Sequence, residues 1–278
     1  MSDRAAPVRA ARPVVPPLTG LIDTHCHLDA GEYDADRPAV LHRAAGAGVA
    51  SIVMPAVAPG GFAALRALAH EHEGLFYALG IHPLAVPTVG DEAIDQLADA
   101  LARWHGDPRL VAVGEIGIDR FVDDPDPLRQ ERFFAEQLSL AARYELPVIV
   151  HDRRAADRIA RALRRCEIVG GISHAFNGSP EQARVAIELG LHLGFGGVMT
   201  FERSRRIRRL AADCPLEALV LETDGPDLAP AWLAPARNEP AELPGIAACL
   251  AALRAMPLDE IVAATANNAR VALPRLQG

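Results

Sequence analysis

Eight short apolar runs, separated by segments with helical spacing, constrain the fold of this chain more than any other feature. Most of the runs are almost continuously apolar rather than alternating, which is typical of strands covered on both faces in a parallel sheet. In chain order they are GLIDTH, ASIVMPAV, LFYALGIH, LVAVGEIG, LPVIVHD, GGISHAF, LHLGFGG and ALVLETD. The pattern predicts eight parallel strands.

The segments between these runs carry helix signals. After the fourth run, Phe134, Leu138 and Ala141 form one apolar stripe, and Pro127 lies just inside the predicted start. After the sixth run, Ser179 is a predicted N-cap. Alternating strands and helices predict an α/β fold, and the count of eight in 278 residues favours a (β/α)8 TIM-like barrel over an open doubly wound sheet. We expect a single domain over 20–278.

Several signals bear on location. Residues 1–19 mix arginine, alanine and proline without an apolar centre, so they predict a disordered leader or loosely docked arm rather than a secretory signal. Uninterrupted apolar runs stay well short of a bilayer span, so no membrane association is expected. The four cysteines, Cys26, Cys166, Cys214 and Cys249, form no C-x-x-C pair. This pattern predicts a reduced, cytoplasmic protein.

The charge balance limits the possible partners. The formal net charge is −8, and all 28 basic residues are arginine. This argues against a protein that coats nucleic acid through a broad basic surface. It does not exclude a nuclease that binds a short end of nucleic acid in a local pocket.

Polar side chains stand where the predicted strands end, which is where barrel enzymes place their catalytic residues. They are His25, His27, His82, Glu115, His151, His174 and Asp224. Five histidines and two carboxylates at one end of a barrel are costly to bury unless they bind a metal. Imidazole and carboxylate suit zinc, manganese or iron, and carboxylates with water suit magnesium. Period-two alternation places Asp23 on the same strand face as His25 and His27, and Cys26 on the opposite face.

The chain resembles the TatD-type metal-dependent hydrolases from about residue 21 to 272. The motifs that carry the resemblance are DTHCHLD, GIHP, GEIGID, LPVIVHDR, SHAFNGS, GFGGVMTF, LETDGPDLAP and RNEP. It implies a barrel of the metallo-dependent hydrolase type with two divalent ions (magnesium, manganese or zinc). One ion would be held by His25, His27, Glu115 and Asp224, and the other by Glu115, His151 and His174. A chain without lysine cannot bridge them with a carboxylated lysine, which supports Glu115 as the bridge.

The resemblance also implies an activity, namely hydrolysis of phosphodiester bonds in DNA, and the expected form is 3′ exonuclease action on single-stranded ends. The oligomeric state stays open, with a monomer as the default. Asp224 would act as general base on the attacking water, and His82 would contact the scissile phosphate or the leaving group. Hydrolysis of a small amide, lactone or phosphoester is the alternative. A non-catalytic binding protein is disfavoured, because no ligand position is missing.

Predicted substrate contacts come from residues near the strand ends. They are His82, Arg153, Asn177, Arg237 and Asn238. The chain departs from the family pattern around the substrate, at Arg120, Phe121, Asp152, Ala175 and Asn177. The arginines of FERSRRIRRL are interpreted as a solvated helix face, with a phosphate-binding patch as the alternative.

Overall fold

A computed structural model describes residues 10–121 and 126–277 of the chain. Its strands form one parallel sheet in which each pairs with the next along the chain, in the order β1 to β8. The strands are β1 Leu21–Asp23, β2 Val49–Pro55, β3 Leu75–Leu79, β4 Leu110–Asp119, β5 Val148–Arg153, β6 Gly171–Ser173, β7 Leu191–Phe195 and β8 Leu219–Leu221. All eight predicted strands are therefore present.

The sheet curls until its first and last strands meet. The Thr24 N–H donates to the Leu221 carbonyl at 3.1 Å, and the Asp224 N–H donates to the His25 carbonyl at 2.8 Å. These bonds join the chain directly after β1 to the chain at and after β8. The predicted TIM-like (β/α)8 barrel is confirmed, and an open doubly wound sheet is ruled out.

Helices cover the outside of the barrel. They are α1 Arg37–Gly46, α2 Phe62–Glu71, α3 Glu92–Trp104, α4 Pro127–Arg143, α5 Ala156–Leu163, α6 Pro180–Glu188, α7 Arg205–Asp213, α8 Leu243–Arg254 and α9 Leu258–Ala272. Ser179 caps α6 as predicted, in a reciprocal capping box with Gln182. The Asp126 side chain caps α4 by accepting from the Arg129 N–H.

An apolar layer fills the barrel below the polar strand ends. It includes Ile22, Val53, Ala78, Ala112, Ile149, Ile172 and Val220, one from each of seven strands. Ala266 and Ala269 of α9, together with Leu273 and Leu276, pack against this layer. The lower end of the barrel is thus sealed, so polar chemistry is confined to the opposite end, where the strands finish.

The segment before β1 is an irregular arm that contacts the barrel. Arg12 donates to the Ala241 carbonyl at 2.8 Å and lies 3.3 Å from the Glu242 carboxylate. Within residues 10–19 the contacts of Arg12 therefore favour the loosely docked arm of the two predicted alternatives. Residues 1–9 lie outside the described part. Among the described helices, none is long and apolar enough to cross a membrane.

Asp107 joins α2 to β3 and β4 at the lower end of the barrel. Its Oδ2 accepts from Arg66 Nε at 2.8 Å and from the Tyr77 hydroxyl at 3.0 Å, and lies 2.8 Å from His70 Nε2. Burial opposes ionisation, but the hydrogen bonds with His70, the Arg109 N–H and Tyr77 lower the pKa of Asp107 below its ordinary 3.8. Folding therefore favours the ionised carboxylate here.

We expect Asp107→Asn to lower the free energy of unfolding by about 1–3 kcal/mol near neutral pH, because buried donors lose a charged acceptor. Since the folded-state pKa is depressed, this stabilisation is present above the unfolded pKa and is lost as the pH falls through the folded value. Urea denaturation from neutral to acid pH measures the difference. Asp34→Asn, which alters an exposed ion pair, should stay within about 0.5 kcal/mol. Equal midpoints for Asp107→Asn and wild type would contradict the expectation.

Candidate metal centre

The seven side chains predicted from the strand ends converge on one pocket of about 700 Å³ at the barrel mouth. Those that line it are His27, His82, Glu115, His151, His174 and Asp224. His25 lies beneath them and is fully buried. The polar residues scattered over 200 positions of the sequence thus form a single cluster.

Glu115 is the centre of this cluster. Its Oε1 lies 2.8 Å from His151 Nδ1, 2.8 Å from His174 Nε2 and 3.2 Å from His82 Nε2. Its Oε2 lies 3.2 Å from His25 Nε2 and 3.4 Å from His27 Nε2. One carboxylate therefore faces two groups of imidazoles, one with each oxygen.

Glu115 reaches this position from inside β4 rather than from its end. The sequence suggested that the fourth strand finishes at Glu115, but β4 continues to Asp119. The pairing of β4 with β5 is irregular between Val113 and Ile116. Such an irregularity re-aims a side chain within a continuing strand, and here Glu115 points into the cluster.

Asp224 completes the side of the cluster nearest β1. It follows β8 with a backbone φ of +56°, and its Oδ1 lies 3.4 Å from His25 Nε2 and 4.0 Å from His27 Nε2. The donor atoms form three overlapping groups, each within 4.8 Å: His25, His27 and Asp224; His25, Glu115 and His174; and His82, Glu115 and His151.

Two further carboxylates support the histidines. Asp119 Oδ2 lies 3.1 Å from His151 Nε2. The other ring nitrogen of His151, Nδ1, is therefore the atom that faces Glu115. Glu222 Oε1 accepts from the Ala175 N–H and lies 3.9 Å from His174 Nδ1. Sequence reasoning missed both. Period-two spacing was the available signal, because Asp119 is four positions from Glu115 and Glu222 is two from Asp224.

Asp23 anchors backbone rather than an imidazole ring. It accepts from the Thr223 N–H at 2.9 Å and hydroxyl at 2.5 Å, and from the His25 N–H at 3.3 Å. Burial raises its pKa to about 7. Asp23 therefore lies beside His25, as the alternation predicted, but it contacts the backbone around the histidines rather than their rings. Cys26 packs in the core, as the alternation predicted.

The charges of the cluster match the donor set of a cation site. Burial opposes ionisation of Glu115, yet the surrounding imidazoles, His174 first, hold its pKa well below the usual range. Burial also opposes charge on His27 and His151, but neighbouring carboxylates raise the pKa of each to about 9. Among the described residues, the buried Glu115 Oε2 has no hydrogen-bond partner. An unpaired carboxylate oxygen facing imidazole nitrogens fits a divalent cation, which competes with protons for the same atoms.

His82 is set apart from the other histidines by its tautomer. The Leu84 N–H donates to His82 Nδ1 at 3.0 Å, so this nitrogen is an acceptor and the proton of the neutral ring is on Nε2. A protonated Nε2 is a hydrogen-bond donor rather than a metal ligand. This nitrogen lies at the pocket wall, 3.2 Å from Glu115.

Besides His82, the predicted substrate contacts divide into two pairs. Arg153 and Asn177 line the pocket. Asn238 does not, because it is fully buried, with its amide donating to the Thr223 carbonyl at 2.7 Å. Arg237 is held by two hydrogen bonds to Asp36, at 2.7 and 2.8 Å, and packs over Tyr33. Neither Arg237 nor Asn238 lines the pocket, and the hydrogen bonds of both residues hold the loop after β8.

Comparisons with known proteins agree with this geometry. Residues 22–274 match the family of TatD related DNases. The chain is 43% identical over 248 residues to an uncharacterized metal-dependent hydrolase, YjjV, of Escherichia coli K12, covering 89% of this chain and 95% of the relative. It is 35% identical over 233 residues to the 3'-5' ssDNA/RNA exonuclease TatD of Cronobacter sakazakii, covering 81% and 87%.

A solved structure shows the same fold. The crystal structure of the TatD homologue YjjV from Escherichia coli superposes with a TM-score of 0.87 at 42% identity, covering 92% of this chain and 98% of that one. A TatD family hydrolase of Entamoeba histolytica, at 19% identity, shares the fold with a TM-score of 0.80 and 93% of this chain covered. The chain therefore belongs to the TatD family of metal-dependent hydrolases.

Proposed function

We propose that this chain is a phosphodiesterase that removes nucleotides from the 3′ end of single-stranded DNA, with two divalent cations bound at the Glu115 cluster. The observation that carries the proposal is the placement of both Glu115 oxygens between separate groups of imidazoles. The name of the Cronobacter relative supports the substrate class. One chain supplies the whole donor set, so a second copy is not required.

The donor atoms suggest how the cations would be held. His25, His27, Glu115 and Asp224 would hold one, and Glu115, His151 and His174 the other. When bound, paired divalent ions stabilise the charge of a phosphoryl displacement and favour ionisation of water. Magnesium, manganese and zinc are all compatible with these ligands.

The chain's own groups would accept the proton and stabilise the leaving group. Asp224 Oδ2, on a carboxylate whose pKa is raised by burial, would accept a proton from the attacking water. His82 Nε2 would donate a hydrogen bond to the leaving oxygen, because its Nδ1 accepts from the Leu84 N–H and the ring proton is on Nε2. Arg153, with its side chain half exposed at the pocket edge, would orient the phosphate.

The first test is cleavage of a single-stranded DNA oligonucleotide by protein stripped of metal and then given magnesium, manganese or zinc. We expect no cleavage after chelation and recovery with at least one metal, with products that shorten from the 3′ end. Bis(p-nitrophenyl) phosphate is the parallel substrate. If this compound is hydrolysed while the DNA stays intact, the result would contradict the nuclease assignment and favour a small phosphoester as substrate.

We also propose a cytoplasmic location. All four cysteines are free, which is the usual state in a reducing compartment. Fractionation of cells that express the protein would test this, and recovery from an oxidising compartment would contradict it.

A further inference from the structure

A second cavity, of about 640 Å³, opens beside the metal pocket at the ends of β5 and β6. Its lining includes Phe121, Arg153, Arg154, Arg158, Asn177 and Arg206, and we call it the arginine groove. Arg153 and Asn177 line both cavities. A chain that enters the groove can therefore continue directly to the metal pocket.

The arginine groove is lined by four arginines against two carboxylates, Asp152 and Asp157, so its charge is positive on balance. Arg158 pairs with Glu131, so its charge is offset. Arg154 and Arg206 make no ion pair within residues 10–121 and 126–277, and Arg206 donates instead to the side-chain Oδ1 of Asn177 at 2.6 Å. These two guanidinium groups therefore give the groove a positive potential next to the metal pocket, although the chain as a whole has a net charge of −8.

An aromatic ring lies among these arginines. Phe121 is 52% exposed, and its ring centroid lies 3.8 Å from Arg153 Cζ and 4.7 Å from Arg154 Cζ. Arginines interleaved with an aromatic ring are typical of surfaces that bind single-stranded nucleic acid, where guanidinium groups hold phosphates and rings stack on bases. Arg154 adopts φ +59°, a conformation that L residues rarely take and that tends to persist at functional sites.

The opposite rim of the metal pocket is apolar. Val57 and Leu84, which follow β2 and β3, are 46% and 44% exposed. In an eight-stranded barrel, β2 and β3 lie across the mouth from β6 and β7. The mouth therefore has an apolar side that suits a terminal nucleoside and a cationic side that suits a continuing chain of phosphates.

We propose that the arginine groove binds the phosphates of the single strand that extends from the scissile bond, with the terminal nucleoside against Val57 and Leu84. This inference rests on the proposed function and adds the path of the substrate. It makes affinity depend on strand length, because only an oligonucleotide that reaches the groove contacts Arg154 and Arg206.

The experiment measures fluorescence anisotropy of a 5′-labelled phosphorothioate decamer of thymidine with the metal-loaded protein. The double variant Arg154→Ala, Arg206→Ala is compared with the control Arg203→Ala, Arg205→Ala. The control removes the same charge from residues that line neither cavity. Thermal midpoints and bound metal establish that both variants are folded.

We expect the groove variant to raise Kd roughly 25-fold at 0.1 M salt, and to lower the slope of log Kd against log salt by about 1.4, because each phosphate contact on a single strand contributes about 0.7 to that slope. The control should keep the wild-type slope. An unchanged Kd in the groove variant, or an equal loss in the control, would overturn the proposal.

Failure of the groove and failure of the proposed function are distinguishable. If wild-type protein binds no decamer but hydrolyses bis(p-nitrophenyl) phosphate, the results contradict both the groove proposal and the nucleic-acid substrate but support the hydrolytic site. If wild type binds and cleaves the decamer's phosphodiester counterpart but the groove variant is unaffected, only the groove falls. A ribonucleotide decamer run beside the first shows whether the groove distinguishes the two sugars.

Discussion

Replacing Glu115 with glutamine is expected to lower kcat/KM for a single-stranded oligonucleotide by about 10³-fold or more, because the proposed electrostatic stabilisation of the reacting phosphoryl group depends on the ions that this carboxylate would hold. Glutamine keeps the shape of the side chain but removes the negative charge that faces five imidazoles. Bound metal, measured by elemental analysis after dialysis, should fall together with activity.

Glu131→Gln is the matched control for this prediction. Glu131 is also a carboxylate on the β4–α4 side of the barrel, but it pairs with Arg120 and Arg158 at the surface. We expect the control to retain metal and activity within about twofold, as is usual for surface substitutions. Full metal content and activity in Glu115→Gln would show that the cluster is not the metal site.

Replacing His82 with alanine should lower kcat by about 10²–10³-fold on DNA without loss of metal, because a hydrogen bond to the charge that develops in the transition state is lost. The substitution His82→Gln places an amide nitrogen near the position of Nε2, where it can still donate a hydrogen bond, so this variant should keep much more activity than His82→Ala. The substitution His82→Asn instead keeps an acceptor for the Leu84 N–H.

The leaving group separates the chemical role of His82 from a structural one. A p-nitrophenolate spreads its charge over the ring and depends little on a hydrogen bond, so hydrolysis of bis(p-nitrophenyl) phosphate should fall far less than DNA cleavage in His82→Ala. Steady-state kinetics on both substrates measure the ratio. Equal losses on the two substrates, or loss of bound metal, would contradict a hydrogen bond from His82 to the leaving oxygen and indicate that His82 only shapes the pocket.

The donor set of the site was predictable because the topology of a parallel barrel is regular. Each apolar run ends at the same edge of the sheet, so histidines that follow different strands must meet there. His25, His151 and His174 could therefore be grouped without knowledge of any contact. The same regularity could have placed Asp119 and Glu222, since both share the strand face of a predicted ligand.

The position of Glu115 within β4 was not predictable. Apolar patterning indicates a strand but does not reveal where its pairing becomes irregular, and that irregularity, between Val113 and Ile116, aims the carboxylate inward. The tautomer of His82 is equally hidden, because it depends on the direction of one backbone N–H in the loop that follows β3.

By itself, the sequence determined that this chain forms eight parallel strands with imidazoles and carboxylates at their carboxyl ends, because strand periodicity and parallel connection are local rules repeated along the chain. Only the tertiary structure decided that the sheet closes into a barrel, and which arginines are available to a substrate. Arg237 is neutralised by Asp36, which is 201 positions away, whereas Arg154 and Arg206 lie open in the groove. Ion pairing depends on which distant segments come into contact, and the residue types of a loop do not encode those contacts.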